Sequence, residues 1–151
     1  IHIIGGREED ISYWKPKCGP NIKFFGFVDQ KQLPELYKAF DIGLMPLQRS
    51  VSPDGSHADI GDVTSPMKLF EYFAYQKLVV SSSLPVLKEV LRHNENSIIV
   101  DQNDALAWSD AIKMVWSDKH LFNKIIKTAH YELRTCYAWN KRAQKFLKWM
   151  S

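Results

Sequence analysis

In the stretch Thr64-Ser65-Pro66-Met67-Lys68-Leu69-Phe70-Glu71-Tyr72-Phe73-Ala74, two charges stand three residues apart in apolar surroundings. Thr64 or Ser65 can cap a helix by accepting a backbone N–H, and Pro66 suits the first helical position. A helix therefore starts here. Nearly all its later residues are apolar or aromatic, so it is expected to be buried on most sides. The i,i+3 spacing sets Lys68 and Glu71 on one face. In one reading they form a local ion pair on the only wet strip, worth roughly a few tenths of a kcal/mol. In the other, Lys68 belongs to an anion site. A cation in the first turn meets the positive end of the helix dipole and is disfavoured there. It becomes favourable when an anion docks on the free N–H groups and the ammonium together. Glu71, one turn further in, is placed to accept hydrogen bonds from vicinal hydroxyls such as those of a ribose. Residue type and spacing leave both readings open.

The elements around this stretch say where it sits. Five short apolar runs, 1–4, 22–25, 41–45, 78–80 and 98–100, are bounded by Gly5-Gly6, Gly26, Pro46, a serine run and Asp101. Each has strand length, and most are apolar on both faces, as parallel strands covered on two sides must be. Helical patterns fall at 32–40, with Leu33, Leu36, Tyr37 and Phe40 in phase and Pro34 in the first turn, and at 66–76, 86–92 and 105–117. Two more, 119–133 and 140–150, follow the last strand with no strand between them. This βαβαβ alternation predicts an α/β fold with a doubly wound parallel sheet. In such sheets the ligand crevice lies at the strand C-terminal ends, where the 66–76 helix begins. The one long irregular stretch, 47–64, has the length of a functional or mobile loop.

Composition bounds the function. At 151 residues, 45% hydrophobic and 25% charged, the chain is an ordinary globular domain. Its net charge of +3 is spread along the sequence and is densest in the last thirty residues at helical spacing, which argues against nucleic acid as a partner. The Lys124/Lys127 and Lys141/Arg142/Lys145/Lys148 groups read as solvated faces, and such a basic face is also compatible with a membrane surface carrying anionic lipid. Cys18 and Cys136 stand alone and read as free thiols of a reducing compartment, which places the chain in the cytoplasm. No apolar run is long enough to span a bilayer. His57 and Asp59, with Asp54 and Asp62, are too irregularly spaced for a metal site. Gly5-Gly6 is followed by Arg-Glu-Glu-Asp, which does not complete a dinucleotide fingerprint. Trp108, Trp116, Trp139 and Trp149 lie on helical patterns and are expected to pack. The chain starts inside an apolar run without an initiator Met, as a fragment of a longer protein does.

Taken in order, residues 65–74, Leu78-Val79-Val80-Ser81-Ser82, Leu84-Pro85-Val86-Leu87-Lys88-Glu89-Val90 and Asn96-Ser97-Ile98-Ile99-Val100 resemble the C-terminal domain of group 1 (family 4 type) glycosyltransferases. The likeness extends upstream through Ile3-Ile4-Gly5-Gly6, Phe25-Gly26-Phe27-Val28 and residues 36–46, and downstream to Tyr137-Ala138-Trp139. The ordered set, rather than any one motif, carries it.

The resemblance implies the donor half of a GT-B enzyme, with a Rossmann-like parallel sheet flanked by helices and an acceptor domain N-terminal to it. The implied reaction moves a sugar from a nucleoside diphosphate sugar to an acceptor with retention of configuration. Alternatives are a nucleotide-sugar epimerase of the same architecture and a non-catalytic nucleotide-binding module. Polysaccharide assembly, with the protein peripheral to the membrane, is a family-level expectation. Glu71 is implied to grip the ribose, Lys68 and the backbone of Thr64, Ser65, Pro66 and Met67 to meet the phosphates, and Gly26, Phe27 and Val28 to lie near the base. No cofactor is implied, and these enzymes generally catalyse without a bound metal. The family's Glu-x7-Glu motif ends on Glu71, but its first Glu falls at Val63, with Asp62 one position earlier. The subset with Ser-Pro-x-Lys-x-x-Glu-Tyr commonly lacks that Glu. The family's central first strand, and the Arg and Lys that follow it, would precede Ile1, so the chain alone is expected to be marginally stable and inactive. Trp139 is implied to mark the seam before a last helix that crosses back to the other domain.

Overall fold

The run 78–80 shows how the fold is built: Val79 enters one apolar core, while Leu78 and Val80 enter another on the opposite face. Side chains alternate across a strand, so a strand apolar at every position needs cover on both sides. The computed structural model describes residues 1–48 and 67–150. It divides into two units, Ile1–Ala39 and Phe40–Ser151.

In the first unit, β1 (His2–Ile3) and β2 (Lys23–Phe24) pair in parallel, with His2 opposite Lys23 and Ile3 opposite Phe24. Their crossover carries α1 (Glu8–Trp14) and a 3-10 turn at Lys15–Lys17, neither of which the apolar pattern predicts. The available signal is electrostatic: Glu8, Glu9 and Asp10 fill the first turn, at the positive end of the dipole. Beyond β2, the Gly26 carbonyl accepts a hydrogen bond from the Gly5 N–H at 2.6 Å. Gly26 holds φ at +64°, a conformation that favours glycine. The predicted 32–40 helix is shorter, α2 (Leu33–Lys38), preceded by a 3-10 turn at Gln30–Gln32 that Asp29 caps through the Lys31 N–H.

In the second unit, β3 (Ile42–Met45), β4 (Leu78–Ser82) and β5 (Ile98–Val100) form a parallel sheet in the order β3-β4-β5. β4 outlasts its apolar run because Ser81 and Ser82 are paired on the ladder, and the Ser82 hydroxyl donates to the Met45 carbonyl at 3.2 Å. One face of the sheet is covered by α3 (Met67–Ala74) and α4 (Pro85–Lys88), through Leu69, Phe73 and Leu87. The other is covered by α5 (Ala105–Ser117), through Trp108, Ile112 and Val115. α6 (Lys119–Glu132) serves both, with Ala129 in the first core and Ile125 in the second.

Asp104 and Asp118 cap α5 and α6 by accepting the Ala107 and Leu121 N–H groups, each at 2.9 Å. α4 is one turn rather than the predicted 86–92. The Asn96 side chain accepts the Arg92 N–H at 2.7 Å and donates to the Val90 carbonyl at 2.9 Å, diverting backbone groups that a longer helix would pair. Asn96 is fully buried and also donates to Glu132, which is ion-paired to Arg92, so this loop is tied to α6. α6 passes through a π-helical turn at Leu133–Tyr137 into α7 (Trp139–Met150). Cys18 and Cys136 are free thiols.

Candidate functional site

α3 is positioned by its apolar stripe. Leu69 and Phe73, one turn apart, are 1% and 0% exposed and join Met45 and Val79 in the first core. Tyr72 lies over β3 at Gly43. A Cβ built on Gly43 would stand 2.6 Å from the Tyr72 ring, so only glycine admits this contact. The ring also meets Phe40 edge-on, with centroids 6.0 Å apart. Burial, with a smaller contribution from the neighbouring Glu71 charge, raises the Tyr72 hydroxyl above its ordinary pKa. It therefore stays neutral and packs.

The helix ends where Gln76 turns left-handed at φ +54° and donates to the Phe73 carbonyl, while the Lys77 N–H reaches the Tyr72 carbonyl at 2.8 Å. The next residue, Leu78, begins β4. With so short a return, α3 runs opposite to the strands, and its start lies at their C-terminal edge. That is where open α/β sheets bind ligands.

Lys68 and Glu71 come together as their spacing predicts, with Nζ 3.3 Å from Oε2 and side chains 49% and 36% exposed. A pair so open to water contributes roughly a few tenths of a kcal/mol to stability. Both side chains are partly open to solvent. The expectation that α3 is buried on most sides needs correction: Met67, Lys68 and Ala74 are exposed, because the helix lies on one sheet face and has one buried stripe. Thr64, Ser65 and Pro66 lie outside the described residues, as do the 47–64 loop with Asp54, His57, Asp59, Asp62 and Val63. Gly26, Phe27 and Val28 belong to the first unit, where Phe27 directly follows the left-handed glycine and is 89% exposed.

The sequence pattern did not single out Gly43, Tyr72 and Ser82 as supports of this helix and its strand edge. A glycine inside a strand, facing an aromatic on the next helix, is the signal that would have found the first two. Of the tryptophans, Trp108 packs in the second core and donates to the Asp101 carbonyl at 3.0 Å, as expected. Trp116, Trp139 and Trp149 are exposed rather than enclosed, although Trp116 meets Phe122 edge-on and Trp149 lies beside Phe146. Among the described residues no group of three or more His, Cys, Asp or Glu side chains is arranged to hold a metal. Cavities of about 590 and 460 Å³ occur in the second unit, and neither is lined by the first turn of α3.

Comparison with known proteins bears on this arrangement. Residues 1–118 match the family described as glycosyl transferases group 1. Over 76 residues the chain is 33% identical to TuaH of Bacillus subtilis (strain 168), which carries the name of a teichuronic acid biosynthesis glycosyltransferase. That stretch is 50% of this chain and 17% of TuaH. Among solved structures, the C-terminal domain of LpcC, a glycosyl transferase group 1 family protein from Francisella tularensis, matches with a TM-score of 0.62 at 22% identity. The match covers 87% of this chain and 60% of that one. Anabaena HepE, solved in complex with UDP and glucose, matches with a TM-score of 0.74 at 14% identity. It covers 99% of this chain and 39% of HepE. The chain thus spans well under half of TuaH and HepE, and at these identities the structural matches establish the fold.

Proposed function

Because the chain belongs to the group 1 glycosyl transferases, we propose that it is the donor-binding half of an enzyme that transfers a sugar from a nucleoside diphosphate sugar, with retention of configuration. An acceptor-binding domain completes it. The observation that carries this reading is the pairing of one cation and one carboxylate, exposed together on the start of a helix at the C-terminal edge of the sheet. The helix start and the Lys68 ammonium take the diphosphate, and Glu71 takes the ribose hydroxyls. Catalysis on this side of the cleft is electrostatic. As the glycosidic bond breaks, negative charge grows on the departing diphosphate, and preorganised N–H groups and Lys68 stabilise it more than they stabilise the bound donor. HepE is solved with UDP, which makes UDP the natural first probe.

Two expected results test this. In the intact protein, Glu71→Gln keeps one neutral acceptor and loses the charge, so UDP affinity should fall by about 1.5 kcal/mol or somewhat more, roughly tenfold. Unchanged affinity by calorimetry removes Glu71 from the site. The transferred sugar should keep the donor's anomeric configuration when the first-formed product is followed by NMR. An inverted product overturns the retaining mechanism, and an epimerised donor with no acceptor product overturns transfer itself.

A further inference from the structure

Gly43 is buried inside β3, where a glycine weakens a strand because it has no side chain to pack. Its φ is not in the left-handed region, and it pairs in register with Val79, so conformational freedom is not what the position requires. What it supplies is room. A Cβ at this position would stand 2.6, 2.7 and 2.8 Å from Cδ2, Cε2 and Cγ of the Tyr72 ring on α3. Carbon atoms rest against each other at about 3.5 Å, so even one methyl group overlaps the ring by roughly 1 Å.

The ring has little freedom to turn away. Cγ, the first ring atom beyond the Tyr72 Cβ, is among the overlapped atoms, so the clash reaches the root of the side chain. Phe40 meets the ring edge-on at 6.0 Å, and the ring packs against the core that holds Leu69 and Phe73. An added Cβ therefore pushes on α3 itself. Leu69 and Phe73 hold the helix down through that core, and Tyr72 sets how closely it approaches β3. Glu71 directly precedes Tyr72 and Lys68 lies one turn before it, so a lift at Tyr72 carries both charged side chains with it.

We infer that Gly43 is a positioning residue for the donor site. By admitting the Tyr72 ring it fixes the height of α3 above β3, and with it the place of Lys68 and Glu71 at the strand edge. This rests on the reading of those two residues as donor-binding. Gly43 has no side chain to offer a ligand and acts through Tyr72.

The test is a double-substitution cycle on the intact protein, with UDP and uridine as probes. Gly43→Ala should weaken UDP at least about tenfold, since a misplacement of roughly 1 Å can cost up to about a hundredfold. Uridine should weaken as well, because Glu71 moves with Lys68. Tyr72→Ala removes the stop and should weaken UDP several-fold, whereas Tyr72→Phe keeps the ring and should bind as the parent does. With the ring gone there is room for a Cβ, so adding Gly43→Ala to Tyr72→Ala should change UDP affinity by no more than about twofold, the scatter of independent sites. The Tyr72 variants decide the matter even where Gly43→Ala alone is too unstable to purify. Three results overturn the inference: Gly43→Ala lowering thermal stability with both affinities unchanged, the same loss from Gly43→Ala with and without the ring, or Tyr72→Ala binding UDP no worse than Tyr72→Phe. A parent protein that binds no nucleoside diphosphate contradicts the donor reading instead. Hydrogen exchange of the α3 amides then decides the positioning: faster in Gly43→Ala than in the parent, with no further rise when Gly43→Ala is added to Tyr72→Ala, supports it, and no change in Gly43→Ala overturns it.

Discussion

Phe73→Ala is expected to lower the unfolding free energy by about 3–5 kcal/mol, the cost of deleting a fully enclosed aromatic ring and leaving its cavity. The ring has no exposed surface and sits in the core formed by Met45, Leu69, Val79, Leu84 and Leu87. These residues come from β3, α3, β4 and the α4 turn, so the surroundings are rigid and cannot collapse into the space. Native domains are stable by only about 5–15 kcal/mol, so the variant should lose much of its stability and populate unfolded chains. Urea denaturation of the intact protein measures it. A loss below about 1 kcal/mol would mean that the ring is not enclosed, and α3 would then be held on the sheet by something else.

That core is also where the sequence is most legible. Residues 78–80 and 98–100 are apolar at consecutive positions, and the structure gives each of those strands two covered faces. Helix 105–117 was readable to the residue, because Asp104 caps its start and Asp118 both stops it and starts the next helix. What the pattern did not show follows from forces that periodicity does not record. α1 has no buried residue, so no apolar stripe marks it, and only its acidic first turn remains as a signal. α4 is cut short by the side-chain hydrogen bonds of Asn96, a competition invisible to hydrophobic spacing. The exposed Trp139 and Trp149 run against the tendency of large aromatics to be covered, and a composition rule cannot say which face of an amphipathic helix finds a partner.

The site was legible in part. The spacing of Lys68 and Glu71 predicted their shared face, and the structure joins them at 3.3 Å. Their placement at the strand C-terminal edge needed the sheet order and the short return into β4, which are properties of the fold. Gly26–Val28 came from resemblance alone. In the structure that segment has a left-handed glycine followed by an exposed ring and belongs to the first unit.

The claim that the start of α3 is a diphosphate site is tested most directly by Lys68→Ala in the intact protein, measured with UDP and with uridine. Without ligand, the substitution removes a half-exposed ion pair, worth roughly a few tenths of a kcal/mol, and with it a cation poorly placed on the helix dipole. The two changes offset each other, so thermal unfolding should move little. UDP affinity should fall by about 2–3 kcal/mol, roughly 30- to 150-fold, because a charge-assisted contact to the phosphates is lost. Uridine, which has no phosphate to meet the ammonium, should bind as before. If UDP and uridine are affected alike, or the variant is less stable without ligand and loses nothing in UDP affinity, Lys68 is only the surface partner of Glu71, and the start of α3 is not where the donor's phosphates bind.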